Sequence, residues 1–526
     1  QKKQESEQIY LDPLPSGPIE NPHCSRHSRI AIMRPFASVL LITLSLAALG
    51  SAKTPPTHEK LWLMKRVGTP TPSPDGQWIV FPVTEPSYVE SETATDLWIV
   101  PTNGAAPPRR LTFSKAAESG VAWSPDSKRI AFSTRREGDE APQVYALNVA
   151  EAGEAMRLTN LSSGASSPKW SPDGKYLLFQ STIHPRAATE EEHRKIEAEL
   201  RSRKYRARVY DSFPVRYWDH WLDHRKPTLY VQPVDPSAKP RNVLAGTQLI
   251  AAPGYGGVNG VSSEDLQPIW TPDSRALIFV ATRNRHQSAY ASTQTHLYHV
   301  SALEPGEPKQ LTSGEDSYAK PQFRADGRAL YALHSREVEK VYSLNRLTAF
   351  NWPTVTQPAF LTQGWDRSVD DFVSAPDSRS LYLVAEESGD TKLFRVSSDG
   401  GTPAPYSKAS GTFSELTLAG ATPVAKWESA VNPAEIVTLD SAGEKRAITS
   451  FNTAAAADLD WLPLKHFTFR SKRGREIHNM VVLPPGFEAG KKYPLLVLIH
   501  GGAHMMWKDQ FFLRWNYHLL AAPGYV

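Results

Sequence analysis

The sequence predicts an all-β propeller of seven blades, followed by the first strands of an incomplete α/β domain. Three observations carry this reading. A turn motif recurs at intervals of about fifty residues, a short apolar strand follows each copy, and after Trp461 the repeat gives way to a longer apolar run ending in His500-Gly501-Gly502.

The turn appears as Ser73-Pro74-Asp75-Gly76, Ser124-Pro125-Asp126-Ser127, Ser171-Pro172-Asp173-Gly174, Thr271-Pro272-Asp273-Ser274, Arg324-Ala325-Asp326-Gly327 and Ala375-Pro376-Asp377-Ser378. The aspartates lie 51, 47, 100, 53 and 51 residues apart, so an insertion doubles one interval. Proline presets the first corner, aspartate accepts from nearby backbone amides, and glycine tolerates positive φ. Each copy therefore reads as a hairpin corner and none as a catalytic acid. First strands follow at residues 78–81, 130–132, 176–179, 277–280, 330–333 and 381–384. Second strands are expected at 97–100, 144–147, 229–231, 297–300, 341–344 and 393–396, with 436–439 as a seventh that lacks the Pro-Asp turn. Leu-Thr pairs at Leu111, Leu158, Leu311 and Leu361 close several units. Short antiparallel strands at this period match four-stranded propeller blades.

The chain has 526 residues, 40% hydrophobic and 22% charged, enough for more than one globular domain. Its 59 basic and 55 acidic residues leave a formal charge of +4, which gives no general polyanion-binding surface and excludes nucleic acid as an expected partner. Met33-Arg34, the apolar run through Leu49 and the small residues Gly50-Ser51-Ala52 read as a secretory signal at 33–52, cleaved after Ala52. The run is short for a bilayer span; an uncleaved anchor is the alternative. Residues 1–32 are expected to be a non-native leader with Met33 as the initiator. The single cysteine, Cys24, falls there, so the exported chain, periplasmic or secreted, would hold no disulfide and no thiolate site.

Within the propeller, expected at 53–461, the insertion spans about 182–226. Residues 190–200 are rich in helix formers with opposite charges at helical spacing, which reads as a solvated helix. Residues 210–224 then interleave aromatics with Asp211, Asp219 and Asp223, and place His220 and His224 four apart. Imidazoles at that spacing share a helix face, but the pattern is too short to assign a metal, and no cofactor is expected. The alternatives for the segment are a packed propeller edge or a face in which one of Asp211, Asp219 and Asp223 meets a peptide's free α-amino group.

Residues 462–526 change character. Two strands around the basic turn 472–475 lead to Leu495-Leu496-Val497-Leu498-Ile499, a run of the kind that a strand buried on both faces requires. Glycines directly after such a strand let backbone N–H groups face a substrate oxygen, as in the oxyanion hole of α/β-hydrolases. Gly501 and Gly502 are the candidates; His500 and His504 read as loop residues.

Trp170-Ser171-Pro172-Asp173-Gly174 followed by an aliphatic strand resembles the repeat of TolB-like propellers and of the prolyl oligopeptidase family. Residues 507–516 and 519–526 resemble the sequence after the oxyanion loop in acylaminoacyl peptidases and dipeptidyl aminopeptidases of that family, and residues 210–224 are similar to its bacterial dipeptidyl aminopeptidase-like members. Ala503 departs from the proline usual there. The resemblance implies a serine peptidase whose propeller caps the active site and admits short peptides. No G-x-S-x-G elbow follows Val497; a hydrolase domain would need on the order of 200 further residues, so the chain as it stands is expected to be inactive. The rival readings are a non-catalytic TolB-like propeller that binds protein partners, which leaves residues 462–526 without a purpose, and an esterase with an accessory propeller.

Overall fold

The computed structural model describes residues 53–526, save 152, 206, 211–212, 218, 223, 260–263, 337–341 and 503–504. The leader, the signal at 33–52 and Cys24 lie outside the described residues.

The turn motif folds as its chemistry requires. In the third copy Ser171 Oγ donates to Asp173 Oδ1 at 2.6 Å, and the same oxygen accepts from Lys175 N at 3.1 Å. The copies at Asp75, Asp126 and Asp273 repeat the amide bond at 3.0, 3.1 and 3.1 Å. The Ser124, Ser171 and Thr271 hydroxyls hold the Asp126, Asp173 and Asp273 carboxyls below the ordinary range. These acids are spent on the backbone.

Each corner joins two strands of an antiparallel meander, and among the described residues seven such meanders follow one another. They run from Arg66–Val67 to Arg109–Arg110, Glu118–Trp123 to Met156–Arg157, Ser166–Trp170 to Arg241–Asn242, Ile269–Trp270 to Lys309–Gln310, Ser317–Phe323 to Ala359–Phe360, Asp371–Ser374 to Ala404–Pro405, and Thr412–Ala419 to Lys445–Ala447. The sixth and seventh touch through one parallel pair, Thr391 with Thr412.

Side chains on a strand alternate between faces, and here both faces are buried. In Tyr176–Ile183, Leu177 and Phe179 pack with Ala131 and Val144 of the second meander, while Leu178 packs with Leu277 and Phe279 of the fourth. Each core is shared by two neighbours, which is why these strands read as unbroken apolar runs. The cycle closes: Val80 lies with Ile130 and Phe132 of the second meander, but Ile79, Phe81 and Val83 lie with Val424 and Ile436 of the seventh. At this joint Gly76 has φ +70°, and a Cβ on it would stand 2.9 Å from the Gly420 nitrogen.

Polar bonds pin the same joints. The tryptophan before three of the Ser/Thr-Pro-Asp turns donates its indole N–H to the preceding meander: Trp123 to Thr71 O at 2.8 Å, Trp170 to Ala122 O at 3.2 Å, Trp270 to Lys169 O at 3.1 Å. The Leu-Thr pairs clip the outer strand, since the threonine hydroxyls accept from Leu97, Val144, Leu297 and Leu347 N at 2.8–3.1 Å. Ser407 and Thr449 do the same for Leu393 and Ile436 without a Leu-Thr signature.

Four expectations need correction. The second strand of the fifth meander is Asn345–Asn351, not 341–344: pairing with Ala329–Ser335 buries Leu347 and Phe350, while Tyr342 is 40% exposed. Residues 495–499 form no strand. Leu495, Val497 and Ile499 are 73, 65 and 83% exposed, and the run's backbone bonds are Leu496 N to Val526 O and Val526 N to Pro494 O, too few to hold a ladder. The helix Glu190–Ser202, capped by Thr189, is not wholly solvated. His193 is buried, its Nδ1 accepting from His184 N at 3.2 Å, so the neutral ring donates from Nε2 to Ser163 Oγ at 2.7 Å. Finally, His220 lies in the strand His220–Trp221, paired with Arg216–Tyr217, so His220 and His224 share no helix face.

Trp170→Phe keeps the ring but removes the donor to Ala122 O. It should lower stability by about 1 kcal/mol, read as a fall in the urea midpoint at unchanged slope.

Candidate functional site

Residues 505–511 of the C-terminal segment dock on the sixth and seventh meanders. Asp509 is its anchor: Oδ1 accepts from Ala430 N at 2.7 Å, its N–H donates to Gly389 O at 2.6 Å, and its carbonyl accepts from Thr412 Oγ1 at 3.0 Å. Lys508 Nζ pairs with Glu386 Oε1 at 2.6 Å, and Tyr517 Oη donates to Lys508 O at 2.8 Å. Asn516 caps the helix Tyr517–Ala521, whose buried His518 meets Leu462 O at 2.9 Å through Nε2. Burial pushes the His518 pKa down, so the ring stays neutral.

Acids gather along this seam. Burial, with help from Glu386, pushes Asp370 up to about 6; burial pushes half-buried Glu428 up to about 7 and raises Asp509. Lys508 and Lys320 oppose the rise at Asp370, and Lys426 with Lys508 opposes that at Glu428. A carboxyl whose charge is disfavoured by its surroundings gains from a cationic neighbour, so the seam is disposed to accept positive charge. Adjacent charges at Asp370-Asp371, Glu386-Glu387 and Lys508-Asp509 are its trace in the sequence.

Of the residues singled out from sequence, Gly501, Gly502 and Asp219 are described. Gly501 and Gly502 lie in an exposed loop closed by Met505 N to Gly502 O at 3.2 Å. Gly502 has φ +62°, and a Cβ on Gly501 would meet nothing within 4 Å. Asp219 is exposed and pairs with His220 at 3.2 Å. Asp211 and Asp223 lie outside the described residues. A cavity of about 580 Å³ opens beside the glycine loop, lined by apolar side chains that include Leu464, Met480, Leu498 and Trp507.

The TolB beta propeller domain family matches residues 62–199. Dipeptidyl-peptidase 5 of Porphyromonas gingivalis is 24% identical over 473 residues, 89% of this chain and 66% of its own length. Its namesake from Aspergillus fumigatus is 25% identical over 525 residues, 92% of this chain and 69% of its own. The chain is similar to peptidases of the prolyl oligopeptidase family. It spans about two thirds of the length of the curated relatives it matches. Among solved structures, the acylaminoacyl peptidase of Pyrococcus horikoshii shares the fold with a TM-score of 0.64 at 16% identity, covering 89% of this chain and 65% of that one. A puromycin-hydrolyzing peptidase of Mycobacterium tuberculosis gives 0.56 at 15%, covering 86% and 64%.

The Glu428 titration is testable. The unfolded chain releases this proton near pH 4.5 and the folded chain near 7. Between those values the native state holds more protons, so stability falls as pH rises. Urea unfolding at pH 5 and 7.5 should show a smaller loss for Glu428→Gln than for the unaltered protein.

Proposed function

We propose that the complete protein is a serine peptidase that hydrolyses short peptides, releasing dipeptides from a free N-terminus through an acyl-enzyme. The observation that carries this reading is the docking of residues 505–511 on the propeller beside an exposed Gly501-Gly502 turn. That turn stands just after the apolar run at 495–499, where an α/β-hydrolase places oxyanion donors.

In this reading the seven meanders are seven blades, residues 53–461 form the propeller, and residues 462–526 begin the hydrolase. A serine attacks the scissile carbonyl, and N–H groups at Gly501 or Gly502 receive the negative charge on the oxygen. One of Asp211, Asp219 and Asp223 holds the peptide's α-ammonium group, which counts off the dipeptide. The ring of blades limits entry to short, unfolded chains. The dipeptidyl specificity is favoured over acylaminoacyl release by the names of the relatives from Porphyromonas gingivalis and Aspergillus fumigatus. Export, periplasmic or beyond the cell, is part of the same proposal.

The complete protein should release p-nitroaniline from dipeptidyl anilides and lose that activity when the substrate N-terminus is acetylated. Faster turnover of the acetylated substrate would move the assignment to acylaminoacyl release, and failure to cleave either would defeat it. If Asp219 is the recognising acid, Asp219→Asn should raise KM about tenfold, the worth of roughly 1.4 kcal/mol, with kcat little changed.

A further inference from the structure

The hairpin Lys465–Arg470/Glu476–Val481 presents an unusual set of side chains to the propeller. His466 lies opposite Met480 in the strand register, and His478 is two residues from Met480, so all three share one face. That face looks onto Gly389, at the tip of the hairpin joining Ser380–Glu387 to Asp390–Ser397. A Cβ on Gly389 would fall 2.9 Å from His478 Cε1, 3.2 Å from Met480 Sδ and 3.4 Å from His466 Cε1. From the other side, Met506 Sδ accepts from Gly389 N at 3.2 Å. Two imidazoles and one thioether thus line the position of the missing Cβ, and a second thioether lies against the Gly389 amide.

The two rings are already close enough to share an ion. His466 Nδ1 and His478 Nε2 are 3.0 Å apart. Two nitrogens on one tetrahedral ion stand about 3.3 Å apart at ordinary metal–nitrogen lengths, so a shift of a few tenths of an ångström replaces the shared proton with a metal. Among the described residues no three His, Cys, Asp or Glu side chains converge to hold a metal, so this cluster is not a hard-ligand cage. Thioether with imidazole is the donor set that suits copper in its reduced state.

We infer that His466, His478, Met480 and Met506 form a binding site for Cu(I). The ion replaces the imidazole-to-imidazole hydrogen bond and gains one or both sulfurs, fastening the hairpin to the propeller tip at Gly389. The site is independent of the peptidase reading, since none of its residues is assigned a part in peptide hydrolysis.

The test uses the chain carrying Cys24→Ser, so that its single thiol does not compete for copper. Cu(I) is titrated anaerobically in the presence of a chromogenic Cu(I) chelator. One equivalent should be withdrawn from the chelator, and His478→Ala and Met480→Leu should each weaken retention at least tenfold, about 1.4 kcal/mol. His58→Ala, outside the cluster, should leave it unchanged. X-ray absorption at the copper edge of the Cys24→Ser protein supplies a readout that does not depend on the cluster variants folding: both nitrogen and sulfur neighbours are expected. The assignment is overturned if the chelator keeps all the copper, if the cluster variants retain it as well as the parent, or if the spectrum contains nitrogen and oxygen neighbours alone.

Discussion

Every core of the propeller is held in common by two meanders. A four-stranded meander of this size has two apolar faces, and neither can be buried within its own sheet. Leu177 and Phe179 need the second meander, while Leu178 needs the fourth. The requirement passes from neighbour to neighbour until Ile79 and Phe81 of the first meander meet Val424 and Ile436 of the seventh. Closure is the condition under which no apolar face remains open, and the Trp123, Trp170 and Trp270 indole bonds fix the spacing at which it occurs.

Closure also brings distant parts of the chain together. Leu61 and Met64, just before the first meander, pack with Leu459 and Trp461 just after the seventh, and Thr54 bridges to Leu459. Phe511 and Leu513 lie against the same cluster. The C-terminal segment is therefore seated on a floor made from both ends of the propeller, with Asp509 bonded to the sixth and seventh meanders.

The legibility of the sequence follows the range of the interactions. The Ser-Pro-Asp-Gly corners are legible because Asp173 bonds atoms within two residues of itself. The strands after them are legible because burial on both faces leaves an unbroken apolar run. The second strand of the fifth meander was harder: residues 341–344 and 347–350 both alternate plausibly, and the choice is made by the Leu333–Leu347 pairing, which no local pattern encodes. The run 495–499 has strand composition, yet a strand in a parallel sheet takes its hydrogen bonds from neighbours, and among the described residues Val526 alone bonds to the backbone of the run and its flanking proline. The acidic seam was illegible for the same reason. Asp509 and its partner Ala430 are 79 positions apart, and the burial that raises Glu428 comes from packing.

The peptidase reading meets its most direct test in the reading frame downstream of the Val526 codon. The account predicts a G-x-S-x-G elbow within that frame, followed in order by an aspartate and a histidine placed to complete a catalytic triad. A stop codon directly after Val526 would contradict it and leave a propeller with a hydrolase edge and no nucleophile.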